Sequence, residues 1–125
     1  MSDAATGLMW KQCAEGLSGA GCTTGSVEAF AWQQALQRGP DAVFAGFSDW
    51  RLPNKNELAS LVEQRCYDPA IDLSWFPNTL STSFWSSSPY VTHPLNAWFV
   101  YFNSGHVSFA YKGYALPVRL VRGGQ

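Results

Sequence analysis

No acidic residue follows Asp72. All nine Asp and Glu lie in the first 72 positions, against five Lys and Arg, while residues 73–125 carry only Lys112, Arg119 and Arg122. The formal net charge of −1 thus hides a balance of −4 over residues 1–72 and +3 over residues 73–125. Histidine is equally scarce, with only His93 and His106. A hydrolytic centre needs a nucleophile, a base within hydrogen-bond reach and a third group to orient that base. No carboxylate follows either imidazole to do the orienting, and Ser81, Ser83, Ser86, Ser87 and Ser88 have no G-x-S-x-G frame. Paired carboxylates at glycosidase spacing stay open on sequence grounds, although Asp41, Asp49, Glu57 and Glu63 fall on or beside expected helices, away from the aromatic segments. The glycines between Gly16 and Gly25 lack the G-K-[ST] ending of a phosphate loop. With three cysteines and two distant histidines, the four clustered ligands of a structural zinc site are not available. The expectation is therefore no enzyme, no metal and no cofactor. Three cations make no nucleic-acid footprint. No run approaches the roughly 18 apolar residues of a membrane span, so membrane insertion is not expected either. Met1–Ala5 leads straight into patterned sequence without a signal peptide, which leaves the compartment open.

What the chain has is aromatic surface. It is 46% hydrophobic and 15% aromatic, and ten of its nineteen aromatic residues fall between Phe84 and Gln125. A chain of this size buries roughly two-thirds of its unfolded surface, enough for one domain over residues 1–125. Stiff amphipathic rings among Ser, Asn, Thr and His are the composition of a recognition surface, because they give contact area at low entropic cost. Cys13 and Cys22 flank a Gly/Ser loop with little else to hold it, and read as a disulfide closing that loop. The alternative is two reduced thiols in a cytosolic protein. Cys66 is left over and reads as a buried free thiol.

Thr6–Gln12 has strand alternation. Ser26 is placed to cap a helix over Val27–Arg38, with Val27, Phe30, Ala31, Gln34 and Ala35 inward and Gly39-Pro40 as the stop. Phe47–Leu52 reads as extended. Asn54 caps a second helix from Lys55 to about Gln64, with Glu57 completing a capping box and Leu58, Leu61 and Val62 inward. Strand composition returns at Ser81–Ser87, Ala97–Asn103, His106–Tyr111 and Leu116–Arg122, with Asn103-Ser104-Gly105 turning the middle pair. The class is α+β, two helices packed on short antiparallel strands. Period-2 alternation puts Trp98, Val100 and Phe102 on one face, expected to be core, and Phe99, Tyr101 and Asn103 on the other, expected to be half-exposed. A second core layer behind the sheet is the alternative for Phe99 and Tyr101.

Several segments in order carry a resemblance: Thr6-Gly7-Leu8-Met9-Trp10, Asp49-Trp50-Arg51-Leu52-Pro53-Asn54 with Glu57-Leu58, Phe84-Trp85-Ser86-Ser87-Ser88, Ala97-Trp98 and Val118-Arg119-Leu120-Val121-Arg122. Together they resemble the bacterial domain family found at the C-terminus of a collagen-like adhesin. That family is similar to the formylglycine-generating-enzyme branch of the C-type lectin-like fold. The strand often preceding T-G-L-M-W is missing or cut short. The resemblance implies a lectin-like domain with neighbouring termini, secreted or at a cell surface, in which Trp50, Trp85, Trp98 and the V-R-L-V-R strand are scaffold. The E-P-N or Q-P-D loop and W-N-D strand of calcium-dependent sugar binding are absent. No cysteine follows Cys66, so the formylglycine-generating activity is not implied.

Some members of this fold resemble the variable proteins of diversity-generating retroelements, in which adenine-directed mutagenesis rewrites Asn codons near the C-terminus. Changing only the adenines of AAC or AAT reaches fifteen residue types and never Trp, Met, Lys, Gln or Glu. From Val91 to Val118 only Trp98 and Lys112 fall outside that alphabet. A β-rich segment also avoids Glu, Gln and Lys for reasons of its own, so a fixed-specificity adhesin binding glycans or glycosaminoglycans stays open beside the variable-protein reading. The ligand expected is a protein or a glycan, and not a nucleic acid. The candidate contacts are Thr92, His93, Leu95, Asn96, Phe99, Tyr101, Asn103, Ser104, His106, Ser108, Phe109, Tyr111 and Tyr114.

Overall fold

The computed structural model describes residues 2–3, 6–63 and 65–123. Gln64, the expected end of the second helix, lies outside the described residues, as do Met1, Ala4, Ala5, Gly124 and Gln125. The architecture is α+β. Strands β1 (Ser2–Asp3), β2 (Leu8–Trp10), β3 (Leu17–Ser18) and β4 (Thr24–Gly25) precede helices α1 (Trp32–Asp41) and α2 (Lys55–Ala59). Strands β5 (Ser83–Pro89), β6 (Asn96–Tyr101), β7 (His106–Tyr111) and β8 (Val121–Gly123) follow. They form antiparallel sheets in the orders β1-β2-β8, β3-β4 and β5-β6-β7. The T-G-L-M-W strand is thus preceded by a two-residue partner, with Ser2 opposite Met9.

Both helices depart from their expected limits, for different reasons. α1 starts at Trp32 and not at Val27, because the preceding residues are claimed by tertiary pairing. The Glu28 N–H goes to the Glu15 carbonyl, and Phe30 exchanges both backbone hydrogen bonds with Leu116 at 2.9 Å. Ser26 therefore caps nothing. Ala31 takes the cap position, where the Gln34 side chain accepts its N–H at 3.2 Å. Nor does Gly39-Pro40 stop the helix, which runs on to Asp41 with Pro40 exposed in its last turn. Its inward residues are Trp32, Ala35 and Gly39, so that of the expected stripe only Ala35 is an inward residue of the helix. Gly39 is needed there: a Cβ on it would stand 2.6 Å from the Arg51 Cα and 2.7 Å from the Trp50 carbonyl oxygen. α2 begins where expected, with the Asn54 Oδ1 accepting the Glu57 N–H at 2.8 Å and the Glu57 Oε1 accepting the Asn54 N–H at 2.9 Å. It ends after Ala59, where i→i−3 bonds at Leu61 and Val62 tighten the chain.

Two expected strands are mostly something else. Phe47–Leu52 begins at a tight turn, in which Phe44 and Phe47 pair across Ala45 and Gly46, both at positive φ. Beyond Phe47, only Arg51 of that segment pairs, with Val121. Leu116–Val121 is a buried strap bonded in turn to Phe30, Trp85, Glu15, Lys11 and Arg51. No single neighbour follows it far enough to make a ladder. The Cys13–Cys22 disulfide is present, with sulfurs 2.06 Å apart, and Cys66 is free but half-buried, not buried.

The β5-β6-β7 sheet lies between two apolar clusters. Phe84 and Val100 belong to the first, with Trp10, Leu58, Ile71, Phe76 and Phe102. Trp85 and Ala97 belong to the second, with Trp32, Ala35, Leu52 and Val118. Neighbouring residues of one strand thus enter different cores, as the pleat requires. A smaller cluster of Ala42, Trp50 and Leu120 has Met9 packed against it.

Candidate binding surface

The hairpin β6–β7 and the loop before it hold all thirteen candidate contacts except Tyr114, which follows β7 directly. The loop is folded by its own backbone, with His93 bonding back to Tyr90, Asn96 to His93, and Tyr90 to the Asn96 carbonyl. At the other end of the hairpin Gly105, at φ +86°, closes onto the Tyr101 carbonyl at 2.8 Å. Six paired residues, from Asn96↔Tyr111 to Tyr101↔His106, separate the two ends. At the rise of an extended chain that is roughly 17 Å.

This length divides the candidates. Thr92, His93, Leu95, Asn96, Phe109, Tyr111 and Tyr114 gather at the loop end, all exposed except half-buried Asn96. Tyr101, Asn103, Ser104 and His106 gather at the turn end, where Asn103 donates to the Asp68 carboxylate at 3.2 Å. Phe99 and Ser108 stand opposite each other in mid-sheet, both half-buried.

The face expectation needs correcting at two residues. Phe99 is not on an open face, because it packs against the second cluster. The second core layer behind the sheet is real. Trp98 is not enclosed in the core with Val100 and Phe102. The first cluster covers the far part of that face and stops short of Trp98, whose ring is half-exposed and covered by other means. Tyr90 stacks on it at 5.0 Å, Phe109 meets it edge-on at 5.9 Å, and the Lys55 ammonium lies 4.5 Å from its centroid. Val107, on the same face, is exposed as well. Three residues here escaped sequence reading. Lys55 is brought by α2 from forty-three positions away, which no local pattern signals. Tyr90 and Val91 lie between Pro89 and Pro94, a setting from which an exposed loop was readable.

Ser104 Oγ and His106 Nδ1 lie 2.7 Å apart at the turn. Both are exposed, and among the described residues no carboxylate bonds to this imidazole, so the pair shapes the turn and does not form a triad. Five motifs in order, the pairing of β2 with β8 and the disulfide-closed loop now stand together, and the model of one family, Lcl C-terminal domain, matches residues 1–122. The chain belongs to the Lcl C-terminal domain family. No curated protein matches it.

Membership places the chain among ligand-binding domains of adhesion type. Adhesion to a polyanion needs free converging cations, and the structure shows where those of this Lcl C-terminal domain go. Arg119 is buried, donating to the Lys11 and Gln12 carbonyls and to Thr79 Oγ1, with its guanidinium 4.8 Å from the Phe76 centroid. Burial pushes its pKa down to about 9, which still leaves it protonated at neutral pH. Arg122 is held by Asp49 at 2.6 and 3.0 Å. The Lys112 ammonium sits 4.3 Å from the Trp32 ring centroid. Among the described residues no cluster of His, Cys, Asp and Glu is arranged to hold a metal ion, and no helix is long and apolar enough to cross a membrane.

Proposed function

We propose that the chain is a single non-catalytic ligand-binding domain of C-type lectin-like fold, secreted or displayed on a cell surface. Its C-terminal surface is the diversified target of a diversity-generating retroelement. One observation carries this reading. The two residues between Val91 and Val118 that adenine mutagenesis of AAC or AAT cannot write, Trp98 and Lys112, each form a cation–π pair with a residue outside that stretch. Lys55 at the start of α2 covers Trp98, and Lys112 covers Trp32 at the start of α1. Such pairs contribute about 0.5–1 kcal/mol at exposed sites and more when desolvated. The residues outside the alphabet thus each join the hairpin to a helix, alongside the core contacts that Val100 and Phe102 make with the α2 side and Ala97 and Phe99 with the α1 side. The Cys13–Cys22 bridge supports an oxidising compartment. Antiparallel pairing of β2 with β8, which sets Leu8 opposite Gly123, supports the looped topology of the proposed fold.

Sequencing the locus tests it. A near-identical second copy of the stretch coding for residues 84–125, differing at adenines and lying beside a reverse transcriptase gene, is the expected result. A genome without such a repeat would refute diversification and leave an adhesion domain of fixed specificity.

A further inference from the structure

The ring faces of Trp98, at the loop end of the hairpin, are taken up by its neighbours. Trp98 is stacked by Tyr90 and covered by Lys55, and Tyr90 meets Phe109 at 4.2 Å and His93 at 5.2 Å, both T-shaped. A pyranose stacks its C–H face on an aromatic ring and needs that ring face open. What remains outward here is aliphatic side chains beside the rings of Phe109, Tyr111 and Tyr114. Val91 is 85% exposed, Leu95 68%, Phe109 42%, Tyr111 51% and Tyr114 60%. They are contiguous: the Leu95 carbonyl accepts the Lys112 N–H at 2.8 Å, and Tyr111 meets Tyr114 edge-on at 5.7 Å.

The charge at this end has one sign. Lys55, over Trp98, stands on the Phe109 face of the sheet and Lys112, over Trp32, on the opposite side; neither has a carboxylate partner among the described residues, and nothing after Asp72 is acidic. Two separated ammonium groups suit single carboxylates. A sulfated chain needs several cations in a row, and Arg119 and Arg122 are committed elsewhere.

We infer that the loop end of the hairpin docks a protein. The partner sets an apolar side chain against Phe109, Tyr111 and Tyr114 and places a carboxylate near Lys55. This rests on the reading of the chain as a binding domain. Rings already braced by their neighbours lose little freedom on binding, which is the property of a rigid anchor.

The test screens the purified chain against phage-displayed random peptides and, in parallel, against an array of neutral and sulfated glycans. Peptides combining Leu, Phe or Trp with Asp or Glu are expected to be enriched. Their binding falls about tenfold or more in Phe109→Ser and in Tyr114→Ser. It weakens with added salt and in Lys55→Gln, and changes less than about twofold in Tyr67→Ser, a site on another segment. Circular dichroism checks each variant, and the more exposed Tyr114 keeps the test decisive if Phe109→Ser unfolds. Peptides lost with Tyr101→Ser but not with Phe109→Ser, or glycans captured in their place, would overturn the inference while the binding-domain reading stands. No binder of either kind would overturn both.

Discussion

Trp98 and Phe99 are adjacent in β6, and their contrasting surroundings show what one residue step in a strand decides. Their opposite orientation was readable from period 2. Which of them meets solvent was not, because apolar side chains on both faces of a sheet are consistent with one core or two. The second cluster, built from Trp32 and Ala35 of α1 and Val118 of the strap, turns Phe99 inward. Phe99→Ala should therefore destabilise the fold by about 1–3 kcal/mol, below the cost of a fully buried Phe. Tyr101→Ala, at an exposed position, should stay within about 0.5 kcal/mol. Urea denaturation of the two variants measures the contrast, and equal losses would mean that the second cluster does not support Phe99. Glu15 makes the same point for charge: it is buried in the disulfide loop and holds Lys11 at 2.6 Å and Arg38 at 2.7 Å. Nothing in its local sequence distinguished it from the exposed acids.

Among the elements, α2 was the most legible, because its signal is local. Asn54 and Glu57 satisfy each other's backbone N–H groups within one turn, and no tertiary partner competes for them. Glu57 also takes Arg51 at 2.7 and 2.8 Å, and Arg51 reaches on to the Gly123 carbonyl. The Arg51 hydrogen bonds, opposed by partial burial and helped by the Asn54 N–H, hold the Glu57 carboxyl below its usual range. A carboxyl depressed in the folded state contributes stability above its unfolded pKa of about 4.3 and loses it as pH falls through the lower folded value. Unfolding free energy should thus drop on acidification from about pH 5 to pH 3, and the drop should be shallower in Glu57→Gln. α1 was misplaced by five residues because Phe30 and Glu28 are bonded to Leu116 and Glu15, partners invisible to a propensity argument. It also reverses a common rule. Gly→Ala inside a helix normally stabilises by about 1 kcal/mol. Gly39→Ala should instead destabilise by about 1–3 kcal/mol, because the added methyl meets the backbone of Trp50 and Arg51, which cannot yield as a side chain can. A more stable variant in urea would show that the two segments separate easily.

At the scale of the molecule, one strap and one bridge join parts distant in sequence. Leu116–Val121 bonds to five segments, and Arg119 ties it to the carbonyls of Lys11 and Gln12, just before Cys13. Arg119→Met keeps most of the volume and strands those buried acceptors with Thr79. A loss of about 3 kcal/mol or more is expected by calorimetry. The Cys13–Cys22 bridge closes a loop with a sequence separation of nine. Removing it with a Cys13→Ser/Cys22→Ser pair should cost about 2–3 kcal/mol in the chain-entropy account. A melting temperature unchanged by reduction would show that β3 and β4 hold the loop unaided.

The sequence by itself determined the α+β class, the α2 cap, the hairpin with its turn and the ordered motifs of the family, and it favoured the pairing of Cys13 with Cys22. Each of these is a local or ordered pattern whose physics is complete within a few residues or one closed loop. Only the tertiary structure decided that the hairpin has core on both sides, that Trp98 lies under Lys55, and that the candidate contacts separate into two ends of one sheet. Those outcomes depend on which distant segments reach the sheet first and satisfy its faces, and contacts made across forty or more residues leave no periodic mark in the chain.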